Sequence, residues 1–237
     1  MAAAPHTRRR RSGGRDRGYG QYCALARALD VVGDRWTLLI VRELLARGPI
    51  RYTDLRSGLP DIASNLLAER LRHLESSGIV ERRKAPPPIG AALIGLTARG
   101  EALRPVLHAI GRWGAPLLGE YRRTDAFRCH WLVLPLELLL TDRHPDRPPL
   151  AIEVRCSDGA VTVETGAGGL HVRPGGAVRP ALVLTGPPDV VLGVMTGRLT
   201  PADAAARGLR HAGDVKALRR FMPAGGTRRR LAPATVR

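Results

Sequence analysis

The sequence predicts two domains of different class, a mainly α domain with a β-hairpin over residues 21–121 and an α+β domain over residues 126–222. Apolar residues recur at helical spacing through most of the first segment. Short strand-like runs separated by Gly- and Pro-containing turns open the second segment, and helices close it. A polar break at 122–125 separates the two. We expect residues 1–20 to form a disordered Arg-rich arm and residues 223–237 a basic tail.

The order of elements in the first domain predicts a winged helix-turn-helix. Helical spacing and capping signals predict helices over residues 23–32, 36–46, 53–57, 64–77 and 98–118, with Thr53 and Thr97 as N-caps. Strand-like runs at 50–52, 79–84 and 91–96 predict one short strand and a hairpin. Such a domain presents one helix to the major groove of DNA, and its hairpin, the wing, reaches the flanking phosphates.

The helix predicted over 64–77 has an apolar and a polar face. At 100° per residue, Leu67, Leu71 and Leu74 fall on one stripe, which we expect to be buried. Candidate DNA-binding residues lie outside or at the edge of that stripe: Ser64, Asn65, Ala68, Arg70 and Arg72. Asn pairs with adenine, Arg with guanine or phosphate, and Ala contacts the thymine methyl group. A merely solvated amphipathic helix has the same pattern, and the flanking elements favour DNA binding over it.

Cationic residues around the wing are candidates for phosphate contacts, which position a protein without specifying sequence. They are Arg51, Arg82, Arg83 and Lys84. A charged edge strand that prevents aggregation is the alternative for the last three. In the N-terminal arm, the arginines at 8–11, 15 and 17 would add non-specific or minor-groove attraction.

The formal net charge of +17 favours a polyanionic partner, with nucleic acid first. Residues 1–20 contain six Arg and one Asp, and residues 223–237 contain four Arg and no acidic residue, so half of the excess lies in two tails. The chain has two lysines against thirty-six arginines, and this skew leaves coding bias open as the source of the charge.

Several motifs resemble those of HxlR-type transcriptional regulators. Residues 23–40, with Gly-Asp-Arg-Trp-Thr-Leu at 33–38, look like the opening signature of that family. Further matching motifs are at residues 42–45, 51–55, 67–75, 78–82, 96–97 and 113–114. The resemblance covers about residues 22–118. It implies a homodimeric winged helix that binds pseudo-palindromic, double-stranded operator DNA, with the first and last helices pairing across the dimer. Repression and activation both stay open as the outcome of binding, and repression is the commoner use of such dimers.

Three positions bear on this resemblance. Ala63 stands where the family usually has a capping Ser, so we expect the N-cap of the DNA-reading helix at Asp61 or Ser64. The second wing strand lacks the family's usual charged and Tyr residues, so we expect the wing to contact DNA less. Cys23 matches a position that some members use as a redox or electrophile sensor, and a packed, inert thiol is the alternative.

The second domain resembles the sterol carrier protein type-two fold at residues 181–189, 197–204 and 208–214. The resemblance implies an apolar cavity for a lipid-like or other hydrophobic small molecule, here a candidate effector. A packed dimerisation or scaffold domain without a ligand is the alternative. For the whole chain, the alternative function is a hydrophobic-ligand carrier whose helical domain serves dimerisation.

Other classes of function find little support in the sequence. The longest apolar run, residues 131–140, is far shorter than the roughly 20 residues that cross a bilayer, and no secretory signal is expected. Cys23, Cys129 and Cys156 are too few and too scattered for a disulfide framework, which predicts a reducing cytoplasm. We expect no metal, no cofactor and no catalysis, because no zinc-like spacing and no nucleophile–base pairing is present.

Overall fold

The structure is a computed structural model that describes most of the chain. The described residues are 18–84, 91–119, 121–122, 124–166 and 168–221. The expectations for the arm arginines and the basic tail therefore lie outside the described residues.

The first half of the chain folds as a winged helix-turn-helix. Its helices are α1 (Ala24–Val32), α2 (Thr37–Arg47), α3 (Tyr52–Ser57), α4 (Ser64–Ser76), α5 (Ala98–Glu101) and α6 (Arg104–Gly114), followed by a 3-10 turn, Ala115–Leu117. Its strands are β1 (Ile50–Arg51), β2 (Val80–Lys84) and β3 (Ala92–Leu96). They form an antiparallel sheet in the order β1-β3-β2, so β2 and β3 make the wing.

The apolar stripe of α4 anchors this helix in the core, as the sequence predicts. Leu67, Leu71 and Leu74 are completely buried, and they belong to one cluster with Ile40 and Leu44 of α2. Full burial of a leucine contributes about 1.5–3 kcal/mol relative to exposure. The orientation of α4 therefore follows from the spacing of its leucines.

Three local predictions in this half are wrong. Helix α3 begins at Tyr52, so its N-cap is Arg51, two residues before the predicted Thr53. The helix after Thr97 is not continuous: α5 ends at Glu101 and α6 starts at Arg104, because Pro105 has no N–H for a hydrogen bond to the preceding turn. Helix α4 has Ala63 at its N-cap position, where neither Asp61 nor Ser64 provides a side-chain cap.

The second half of the chain is an α+β unit. Its helices are α7 (Val133–Leu139), α8 (Pro188–Met195) and α9 (Pro201–Ala206), with 3-10 helices at Cys129–Leu132 and Val215–Arg220. Its strands are β4 (Ala151–Cys156), β5 (Gly159–Gly166), β6 (Gly169–Pro174), β7 (Leu182–Thr185) and β8 (Arg210–Gly213). The sheet order is β6-β5-β4-β7-β8, with β4 and β7 parallel and the other pairs antiparallel.

The cysteines depart from the sequence prediction. Cys129 and Cys156 form a disulfide, with their Cα atoms 5.7 Å apart. The pair is 27 residues apart in sequence, and the fold brings it together because the 3-10 helix at Cys129–Leu132 packs against the sheet at the end of β4. Sequence spacing alone did not show this proximity. Among the described cysteines, Cys23 is free and exposed.

The two halves pack against each other directly. Leu134 of α7 belongs to the core of the first half, and Ala46 of α2 belongs to the core of the second. Arg104 of α6 forms an ion pair with Glu137 of α7, with the Nη1 and Oε2 atoms 2.9 Å apart. Within the described ranges, none of the helices is long and apolar enough to cross a membrane.

Candidate nucleic-acid interface

The polar face of α4 is open to solvent. Ser64, Asn65 and Arg72 are exposed, as are Glu69 and Ser76 further along the same face. The leucines on the opposite side fix the rotation of the helix, so these side chains point outward. The face is therefore accessible on the surface of the protein.

Two predicted members of this face are less accessible. Ala68 is half-buried. The Arg70 side chain is only 15% exposed and forms an ion pair with Asp34, in the turn that follows α1. In the structure, Arg70 thus ties α4 to the turn that contains the Gly-Asp-Arg-Trp sequence, and this ion pair gives Asp34 a structural role.

Other contacts fix the position of α4. The hydroxyl of Tyr52 donates a hydrogen bond to the carbonyl oxygen of Ser64, at 3.0 Å. Nε2 of His73 lies 3.1 Å from the carbonyl oxygen of Val31, near the end of α1. The sequence analysis did not identify Tyr52 or His73 as supports, because their partners are 12 and 42 residues away.

The strand register separates the wing cations into two groups. Arg51 pairs with Leu93, and Leu93 pairs with Arg83 on its other side, so Arg51 and Arg83 share the outer face of the sheet. Arg82 pairs with the buried Ile94 and therefore lies on the face towards the core. Lys84 follows two residues later on that same face, at the exposed end of β2.

Two of these cations already have acidic partners. Arg82 contacts Glu75 of α4, with the Nε and Oε1 atoms 2.6 Å apart, and Arg83 forms an ion pair with Glu81 of its own strand. Both arginines remain about half-exposed. Arg51 and Lys84 are exposed as well. All four predicted wing cations are thus at the surface, and the Arg82 contact also joins the wing to α4.

Behind this surface lies a buried polar cluster that the sequence analysis did not find. The carboxylate of Glu43, in α2, is completely buried. Its oxygens accept hydrogen bonds from Nη2 of Arg42 at 2.7 Å, from Nε2 of His130 at 2.7 Å and from Nε1 of Trp131 at 2.6 Å. A Cβ on Gly58 would clash with the same carboxylate. Glu43 therefore links α2 to the 3-10 helix of the second half.

The charge of Glu43 is maintained in this buried site. Burial raises the pKa of Glu43, but the hydrogen bond from His130 and the charge of Arg42 outweigh burial, so the pKa lies below its usual range. The guanidinium of Arg42 lies over the Trp131 ring, 4.2 Å from its centroid, and this cation–π contact further fixes the Trp131 side chain.

The first and last helices of the first half expose apolar side chains. Leu25 and Leu29 form an exposed pair on α1. On α6 the exposed apolar residues are Val106, Ile110 and Trp113, and Leu117 continues the stripe. None of the residues of α6, all of which the structure describes, is buried. Cys23 lies at the N-cap position of α1, beside these surfaces.

Comparison with known proteins places this geometry in a family. The family model described as HxlR-like helix-turn-helix matches residues 31–121. The uncharacterized HTH-type transcriptional regulator YvaP of Bacillus subtilis is 37% identical over 87 residues, which are 37% of this chain and 80% of YvaP. The chain belongs to the HxlR-like helix-turn-helix family. It is a transcriptional regulator with a DNA-binding winged helix-turn-helix.

Other matches include named regulators. The HTH-type transcriptional regulator YodB of Bacillus subtilis is 36% identical over 86 residues, which are 36% of this chain and 76% of YodB. A solved structure of the reduced form of YodB is 31% identical, covers 43% of this chain and all of its own, and has a TM-score of 0.37. A solved structure of the redox regulator HypR in its oxidized form is 29% identical, covers 39% of this chain and 95% of its own, and has a TM-score of 0.36.

Proposed function

We propose that this HxlR-like regulator is a homodimeric repressor that binds pseudo-palindromic operator DNA. The observation that carries the proposal is the outward polar face of α4, where Ser64, Asn65 and Arg72 are exposed above a fully buried row of leucines. A helix held in this way enters the major groove with its N-terminal residues at the base edges.

The proposed contacts fall into two classes. Ser64, Asn65, Ala68 and Arg72 read bases, and Asn65 is the side chain suited to bidentate pairing with adenine. Arg51, Arg82, Arg83 and Lys84 hold phosphates, and the arm arginines add non-specific attraction. Arg70 has to leave Asp34 to reach DNA, so in our proposal it acts by positioning α4.

The dimer is proposed on the exposed apolar stripes of α1 and α6. Leu25 and Leu29 of one protomer would cover Ile110 and Trp113 of the other, removing these side chains from water. A two-fold dimer then presents two α4 helices to half-sites about 34–36 Å apart, one helical turn of DNA.

The signal that controls binding is proposed to be a hydrophobic small molecule or thiol oxidation. The second half would provide the apolar site that its resemblance to sterol carrier protein type two implies. Cys23 is accessible for modification at the start of α1, beside the proposed dimer surface.

Selection of bound fragments from genomic DNA, followed by footprinting, tests the proposal. We expect an enriched site with two half-sites separated by 10–10.5 base pairs, about one helical turn, and protected on one face of the duplex. Native mass spectrometry of the same preparation should show a dimer. A co-purified hydrophobic ligand without any enriched DNA site would contradict the proposal and support a hydrophobic-ligand carrier.

A further inference from the structure

The Cys129–Cys156 disulfide lies at the junction of the two halves. Cys129 begins the 3-10 helix whose next two residues, His130 and Trp131, hydrogen-bond to the buried carboxylate of Glu43. Cys156 ends β4, in the sheet of the second half. The disulfide therefore joins the 3-10 helix at Cys129–Leu132 to the sheet, and the same 3-10 helix contacts α2 through His130 and Trp131.

The disulfide differs in its access to solvent at its two ends. Cys129 is 2% exposed, whereas Cys156 is half-buried next to the exposed turn between β4 and β5. Asp158, in that turn, accepts a hydrogen bond from the backbone N–H of Cys129, at 3.1 Å. A small reagent can thus reach Cys156 first, while Cys129 is held in place to complete the exchange.

Helix α2 contacts both this segment and the DNA-reading helix. Ile40 and Leu44 of α2 pack in the same buried cluster as Leu67 and Leu71 of α4. The carboxylate of Glu43 has no exposed surface, so a shift of His130 and Trp131 would leave a buried charge without two of its donors. A movement of α2 together with this segment would keep both donors on the carboxylate.

We propose that Cys129 and Cys156 form a reversible redox site whose disulfide holds α2 in the DNA-binding arrangement. The proposal rests on the proposed DNA-binding function in one respect: a regulator meets its DNA inside the cell, where a disulfide is usually transient and redox-sensing. Oxidation strengthens operator binding, and reduction weakens it.

The exchange is balanced with a low-molecular-weight disulfide, RSSR, as the oxidant. The Cys156 thiolate attacks one sulfur of RSSR, the S–S bond of RSSR breaks, and one RSH leaves with the proton that Cys156 lost. The Cys129 thiolate then attacks Sγ of Cys156 in the mixed disulfide and releases the second RSH. Two electrons pass from the two protein thiols to RSSR, and reduction by a thiol reverses both steps.

The test uses the full chain with Cys23→Ser, so that the exposed thiol does not react. The protein is equilibrated in buffers of reduced and oxidized glutathione, and free thiols are counted by alkylation and mass spectrometry. Operator affinity is measured in parallel by fluorescence anisotropy, and hydrogen exchange is followed in α2. We expect loss of two alkylatable thiols on oxidation, slower exchange in α2, and operator affinity at least about fivefold higher.

Two variants in the same background serve as controls. Cys129→Ser/Cys156→Ser should bind operator equally in both buffers, which assigns the effect to this pair. Glu43→Gln should still form the disulfide but lose most of the difference in affinity, because its neutral side chain holds His130 less strongly. If circular dichroism shows that Glu43→Gln folds poorly, the coupling is tested by hydrogen exchange in α2 of the Cys23→Ser protein, compared between the reducing and the oxidizing buffer.

Several results would overturn the proposal. The bond is only structural if it forms and breaks while both α2 exchange and operator affinity stay constant. A cysteine pair that is alkylated under every oxidizing condition is not a redox site. Reduced protein that retains one equivalent of added zinc, with both thiols protected from alkylation, would show a metal site made by the two sulfurs and Asp158, whose ligand atoms lie within 4.8 Å of one another. Higher affinity after reduction would also contradict the proposal.

Failure of the DNA-binding proposal gives a different pattern. If no DNA fragment is bound in either state, but α2 exchange still follows the state of the two thiols, the redox site is supported and the proposed operator-binding function is wrong.

Discussion

At the residue scale, the proposed recognition of a DNA groove depends on a few side chains of α4. Asn65 is exposed one residue inside the helix, and Leu67, two residues later, is fully buried. This spacing was sufficient to predict both the buried and the exposed face from the sequence. The ion pair of Arg70 with Asp34 was not predictable, because the two residues are 36 positions apart and only the folded chain brings them together.

Replacement of Asn65 by Ala should weaken operator binding by about 1–3 kcal/mol and relax the preference at one base position, because a bidentate base contact is lost. The measurement is a gel-shift titration on the operator and on each single-base variant of one half-site. Ser76→Ala, at the other end of the same exposed face, is the matched control and should bind as the parent does. Equal losses on operator and random DNA would show that Asn65 does not read a base.

A second prediction concerns the acid stability of the second half. Asp142 and Arg220 form a buried ion pair, with Nε and Nη2 each 2.9 Å from a carboxylate oxygen. The hydrogen bonds from Arg220 hold the pKa of Asp142 below its usual range, despite the opposing effect of burial. Because the folded state has the lower pKa, the stabilisation is complete above a pH of about 4 and is lost as the pH falls through the folded-state value.

Asp142→Asn should therefore lower the free energy of unfolding by about 3–5 kcal/mol at neutral pH, since Arg220 is left buried without its partner charge. The difference from the parent protein should shrink as the pH approaches 3. Urea unfolding followed by circular dichroism at several pH values measures this difference. Asp146→Asn, an exposed aspartate of the same loop, should behave as the parent does. A pH-independent difference would contradict the assigned ion pair.

At the scale of elements, the exposed apolar side of α6 is explained by a contact with a second protomer in the proposed dimer. It has 11 residues and exposes Val106, Ile110 and Trp113 along one side. An isolated helix of this length is marginal in water, so most of its stability has to come from packing. In the proposed dimer, α1 and α6 of the other protomer provide that packing.

Ile110→Asp should convert the proposed dimer to a monomer at micromolar concentration, because it places a charge within an apolar contact. Operator affinity should fall with it, since one α4 helix alone spans a single half-site. Sedimentation velocity gives the oligomeric state. The control is Arg112→Ala, an exposed change on the same helix that should leave both properties unchanged. An Ile110→Asp protein that remains dimeric would place the dimer interface elsewhere.

Some helices and strands could be predicted from local sequence patterns and others could not. Strands β4 and β5 were predictable because each is a short run rich in apolar residues, with three consecutive buried positions, and turn residues separate the two runs. Strand β8, Arg210–Gly213, was missed because all four residues are exposed, so no apolar pattern marks it, and only its pairing with β7 defines it. The helix break before α6 was missed because Pro105 was read within one continuous helical pattern.

At the scale of the whole molecule, the two halves share one buried charge. The carboxylate of Glu43 accepts hydrogen bonds from donors 87 and 88 residues later in the chain. No local pattern in the sequence predicts such a contact, since Glu43 is one of several polar residues in α2, beside Arg42, and nothing near it in the sequence marks it as buried. The winged helix-turn-helix could thus be predicted as a unit, whereas its coupling to the second half could not.

Net charge is the other property of the whole molecule, and its distribution leads to the last prediction. Deletion of residues 1–18 removes six arginines and one aspartate. Because arginines that neutralise phosphates release counterions, each such contact adds about 0.9 to the slope of log affinity against log salt concentration. The deletion should therefore reduce affinity for operator and random DNA alike and flatten this slope.

Fluorescence anisotropy over a range of salt concentrations measures the slope for both DNAs. A full-length variant with the six arm arginines changed to Gln should reproduce the deletion, because it removes the charge but keeps the length of the arm. If the Gln variant retains the parent slope while the deletion does not, the arm acts through something other than its charge. If the deletion weakens binding to the operator alone, the arm makes base-specific contacts, and the excess of arginine near the N-terminus has to be explained by sequence recognition.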